Sequence, residues 1–187
     1  MTILKGMNFI LLLLNIFDVI VLTYPIDDSN LVERKSAFPP GEACVFNAPK
    51  NAKRQGHMAW GFQYNASTYV YGSDNGKIPK SKKKDWLQFE GNHSTMLKFF
   101  KDYKFPKNYR YEYYNCEKVE NPDPSSAINQ TLISKEQDYH LLGCNCLDDT
   151  IAILTAYNAP GVPPVNGKLI SPNWWFDHLA KDGNPNG

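Results

Sequence analysis

Residues 140–158 read HLLGCNCLDDTIAILTAYN, with Cys144 and Cys146 flanking Asn145. Leu147, Ile151 and Leu154 then recur at helical spacing. Asn145 is an N-cap residue type, and Asp148 stands three residues on, as in a capping box. Pro160-Gly161 ends the element. Cys146 therefore falls at the first helical position. A thiolate there is favoured by the first-turn N–H groups and the positive end of the helix dipole, which lower the thiol pKa. The same N–H groups can donate to an oxyanion. Asp148 and Asp149 act against a thiolate. Cys146 thus needs a histidine partner to serve as a nucleophile.

There are four histidines. His93 lies inside a glycosylation sequon and is expected at the surface. His140 precedes the cysteine helix, and His178 is near the C-terminus. His57 opens HMAWGFQYNASTYVYG, residues 57–72, which has hairpin character with a turn at Asn65-Ala66-Ser67. Met58, Trp60, Phe62 and Tyr64 share one strand face; His57, Ala59, Gly61 and Gln63 share the other. Past its histidine, the second face has only small residues up to Gln63. A helix can approach it closely, and such an approach would bring Cys146 to His57.

Gly56-His57-Met58-Ala59-Trp60-Gly61-Phe62, a following strand ending Tyr71-Gly72-Ser73, and a later Asn145-Cys146-Leu147-Asp148 opening a helix form one pattern. It resembles the circularly permuted papain-like thiol hydrolases, the NlpC-like superfamily that includes the lecithin:retinol acyltransferase-like proteins. The resemblance spans roughly residues 43–160. It implies an α+β fold, an antiparallel sheet packed against the helix that carries the nucleophilic cysteine. It implies Cys146 as nucleophile and His57 as base. A third, polar residue is expected on or just past the histidine strand, where Asp74, Asn75 and Gln63 are candidates. The acyltransferase branch follows its cysteine with Glu-His, whereas this chain has Leu147-Asp148, which argues against lipid acyl transfer. The implied chemistry is thiolate attack on an amide, in a peptide or peptidoglycan-like substrate, through a thioacyl intermediate. A non-catalytic secreted effector or binding protein on the same scaffold, its cysteines in disulfides, is the alternative.

The four cysteines fit either reading. If Cys146 stays free, one pair can form among Cys44, Cys116 and Cys144; otherwise two disulfides use all four. Cys144 and Cys146 are too close for an easy mutual bridge. The C-x-C spacing lacks the paired pattern of a zinc site, and no cofactor is expected.

The remaining signals concern location and frame. The apolar run FILLLLNIFDVIVL, residues 9–22, follows Lys5 and reads as a signal peptide over residues 1–24, with cleavage near Thr23–Ile26. Asn15 and Asp18 weaken it as a permanent span. Residues 25–42 read as a polar arm, with a dibasic processing signal at Arg34-Lys35, and residues 43–187 as one domain. Sequons at Asn65, Asn92 and Asn129 agree with secretion. Twenty basic against nineteen acidic residues exclude a global field for nucleic acid. A monomer is expected. Residues 73–93 read as loop, including the Lys77, Lys80 and Lys82–Lys84 run. Helices are expected over 94–103 with a Ser94 cap, over 124–137 and over 172–179, and a strand over 109–116. Trp60, Trp86, Trp174 and Trp175 are read as core packing first and as a groove lining second.

Overall fold

The computed structural model describes residues 38–77, 84–105, 109–140, 144–164 and 170–183. The signal segment, the arm up to residue 37 and the centre of the lysine run, 78–83, lie outside the described residues.

The frame is a five-stranded antiparallel sheet in the order β4-β3-β2-β1-β5. Its strands are β1 (Gly41–Asn47), β2 (Met58–Gln63), β3 (Tyr69–Lys77), β4 (Lys84–Gly91) and β5 (Tyr113–Val119). α1 (Asn51–Arg54) is a single turn in which Ala52, Lys53 and Arg54 take positive φ. α2 (His93–Asp102), α3 (Pro124–Glu136), α4 (Cys146–Ala156) and α5 (Pro172–Gly183) complete the elements. Among the described residues no helix is long and apolar enough to cross a membrane.

The sequence periodicities explain the layering. β2 and β3 form the expected hairpin, with Trp60 opposite Gly72 and Gln63 opposite Tyr69. In the tip, Asn65 Oδ1 accepts from the Ser67 and Thr68 N–H groups, which closes the turn. The fully buried Met58, Trp60 and Phe62 face α4, where Leu147, Ile153 and Leu154 meet them. Each large side chain so buried contributes about 1.5–3 kcal/mol. The small face of β2 takes a different helix from the one expected. α2 covers it, with Met96 and Phe100 packed beside Ala59, Tyr69 and Tyr71. A Cβ on Gly61 would run into the Met96 sulfur, so the absent side chain is what admits α2.

Several boundaries differ from the sequence reading. β1 takes in Gly41 and Glu42, the last residues assigned to the arm. α2 is capped by Asn92, whose side chain accepts from the Thr95 N–H; Ser94 instead donates to that Asn92 side chain. The strand expected over 109–116 runs from Tyr113 to Val119, in register with β1. β4 occupies a stretch read as loop. Its alternation is obscured because both faces carry apolar groups: Trp86 reaches Trp60 on one side, and Phe89 reaches Tyr71 and Phe99 on the other.

Cys44 and Cys116 face each other across β1 and β5 and form a disulfide. The bond closes a 72-residue separation, a loop worth about 4 kcal/mol of restricted unfolded-chain entropy. Cys144 and Cys146 are free thiols.

Candidate active site

α4 begins as its residues dictate. Asn145 accepts from the Leu147 and Asp148 N–H groups, and the Asp148 carboxylate accepts from the Asn145 N–H. This capping box fixes Cys146 in the first turn with its thiol against the end of β2. The Met58 and Leu147 N–H groups point at its sulfur. His57 is the residue immediately before Met58. Cys146 and His57 line one cavity of about 580 Å³, together with Tyr139, Ile170, Pro172 and Trp174.

His57 is buried and firmly held. Its Nε2 lies 2.9 Å from Ser73 Oγ and 3.0 Å from Asn75 Oδ1. Asn75 is itself oriented, since its Nδ2 donates to the Tyr103 hydroxyl at 3.0 Å. Its oxygen therefore faces the imidazole and takes the Nε2 proton, which places the free lone pair on Nδ1. Tyr111 donates to Ser73 Oγ at 3.0 Å, and the Phe105 ring packs edge-on against the imidazole. Ahead of His57, the positive-φ Gly56 lets the chain turn beneath Asn173 of α5. A Cβ there would strike the Asn173 side chain, which bonds the Pro49 and Arg54 carbonyls. α5 thereby fixes the segment that presents the histidine.

Burial sets the protonation of both partners. It lowers the His57 pKa to about 4, and the hydrogen bond to Asn75 opposes that only in part. It pushes the Cys146 thiol up to about 12; the Met58 and Leu147 N–H groups pull down, while Asp74 and Asp149 push up. The helix start alone predicts a lowered thiol pKa. The opposite holds because desolvation of a buried sulfur outweighs two backbone donors. The resting pair is neutral thiol and neutral imidazole.

The candidate residues divide by strand geometry. Ser73 and Asn75 alternate onto the side of β3 that meets His57. Asp74, between them, turns the other way: it is buried, accepts from the Gly76 N–H, and its charge acts on Cys146 and Tyr139. Gln63 stands at the opposite end of β2, roughly 20 Å along the strand from His57. There it pairs with Tyr69, and its carbonyl accepts from the Tyr157 hydroxyl. Ser73 and Tyr139 were not singled out in the sequence. The sequence reading ends the strand at Ser73, but β3 runs on to Lys77, and alternation along it then brings Ser73 and Asn75 to one side.

The other histidines have other surroundings. His93 pairs with Glu42 at 3.2 Å, the His140 backbone pairs with that of Cys144, and His178 Nδ1 donates to the Trp174 carbonyl. Glu42, His93, Cys44 and Cys116 bring ligand-type atoms within 4.8 Å of one another, but the two sulfurs are bonded to each other. Trp60 and Trp175 are core residues as expected, whereas Trp174 is 49 % exposed and lines the cavity with Cys146.

No protein-family model, curated protein or solved structure matches the chain.

Proposed function

We propose that this protein is a secreted thiol hydrolase of permuted papain-like type that cleaves an amide bond, with Cys146 as nucleophile and His57 as base. One observation carries the reading. A free thiol and a histidine oriented through Nε2 by Asn75 and Ser73 line the same cavity, with the sulfur against the N–H of the residue next to that histidine.

The neutral resting pair defines the chemistry. As the Cys146 sulfur attacks the carbonyl carbon, the thiol proton moves to His57 Nδ1. The developing imidazolium keeps its Nε2–H bond to Asn75 Oδ1. Asn145 already engages the Leu147 and Asp148 N–H groups, the first of them shared with the Cys146 sulfur. The Cys146 N–H is then the first-turn donor available to the tetrahedral oxyanion, with the Tyr139 hydroxyl at the same cavity wall. Collapse breaks the C–N bond, and His57 returns the proton to the leaving amine. Water then attacks the thioester, gives its proton to His57 Nδ1 and releases the carboxylic acid. The thiol is regenerated with that proton.

The test is release of amines from a mixed peptide-amide library. Cleavage is expected from the wild-type protein and from Cys144→Ser, and not from Cys146→Ala. Equal cleavage by Cys146→Ala contradicts the assignment.

A further inference from the structure

We infer, building on that reading, that the cavity beside Cys146 selects a substrate with an uncharged, large apolar group next to the scissile carbonyl. Ile170, Pro172 and Trp174 form one wall, from the start of α5 and the two residues before it. Tyr139 stands against the thiol from the segment that leads into α4. Trp174 is held in place for contact: its ring stacks on His178 with centroids 3.6 Å apart. Among the described lining residues there is no Asp, Glu, Lys or Arg.

An ionised group entering this space would lose water without gaining an ion pair from the lining residues. The nearest charges make the penalty asymmetric. Asp74 and Asp149 act on Cys146 from beneath, and Asp148 lies in the same first turn. A carboxylate next to the reacting carbonyl meets these like charges as well as desolvation, whereas the same charges attract an ammonium and offset part of its desolvation. The expected preference is apolar first, cationic second, anionic last. This favours peptide amides flanked by Leu or Phe over the acidic stems of cell-wall peptides.

The experiment uses matched peptidyl acyloxymethyl ketones with Phe, Leu, Lys or Glu beside the reactive carbonyl. Site-resolved mass spectrometry reads the rate of Cys146 labelling in the intact protein. Burial of one large side chain predicts labelling about 10-fold faster for Phe and Leu than for Lys, with Glu slower again. Trp174→Phe should keep that order, and Trp174→Lys should raise the Glu probe above the Lys probe. Equal rates, or faster labelling by Lys or Glu, overturn the specificity while leaving Cys146 as the nucleophile. Failure of every probe to label Cys146 in folded protein overturns both this inference and the reading beneath it.

Discussion

Two regions of this molecule hold two cysteines each, and they differ in what the backbone does with sulfur. Cys44 and Cys116 sit directly opposite on adjacent antiparallel strands, where close approach and a shared side of the sheet lead to a bond. Cys144 and Cys146 are nearer in sequence but stay free. One lies in a bridge with His140, and the other opens a helix with its thiol turned to the end of β2. Register staples the first pair, whereas a capping box aims one member of the second pair at a cavity. Nearness along the chain is thus a poor guide to which thiols pair.

The sharpest way to break this comparison is to remove one sulfur from each region. Cys146→Ala should reduce amide cleavage more than about 1000-fold, with folding retained. Cys44→Ser with Cys116→Ser should leave turnover measurable in the cold while lowering stability by about 2–5 kcal/mol. Initial rates and urea unfolding, run on both variants, separate the two roles.

A second contrast lies in pH. His57 is neutral when folded and titrates near 4 against 6.5 for an ordinary histidine. Its depressed pKa contributes stability that is complete above 6.5 and lost as pH falls through about 4, roughly 3 kcal/mol in all. Turnover should fall through the same lower limit, as the Nδ1 lone pair is protonated. Denaturation midpoints and initial rates between pH 3.5 and 8 check both.

Asn75→Ala is a subtler perturbation. It removes the acceptor that fixes the imidazole, so kcat should drop about 10-fold with KM little changed. Because that hydrogen bond raises the His57 pKa, the acid limb of the rate profile should also move to lower pH. An unchanged acid limb makes Asn75 merely structural. The smallest effect belongs to Cys144→Ser, which should alter turnover by less than about twofold. A large loss there would erase the distinction drawn between Cys144 and Cys146.

Local signals made much of this legible before any coordinates. The Asn145–Asp148 capping box and the 57–72 hairpin follow from short-range residue chemistry; the capping box stands as read, while the hairpin's second strand runs on to Lys77, past the expected end at Gly72-Ser73. β4 did not show, because it is an edge strand with apolar groups on both sides and a lysine run at its start. The choice of helix against the small face of β2 was also illegible. Gly61 says only that something comes close; that it is Met96 depends on how α2 returns across the sheet. The site shows the same split. Cys146, His57 and Asn75 were visible as residue types near the right elements. Ser73 joins them through strand alternation. The apolar wall of Ile170, Pro172 and Trp174 arrives from a distant segment that no local pattern connects to Cys146.

The most direct test alkylates the unreduced protein, maps every cysteine by mass spectrometry, and compares labelling of Cys146 by a peptidyl acyloxymethyl ketone in wild type and His57→Gln. The account predicts an intact Cys44–Cys116 bond, free Cys144 and Cys146, preferential labelling of Cys146, and a loss of about 100-fold or more without the imidazole. Cys146 found in a disulfide, or labelled at the same rate in His57→Gln, would contradict it.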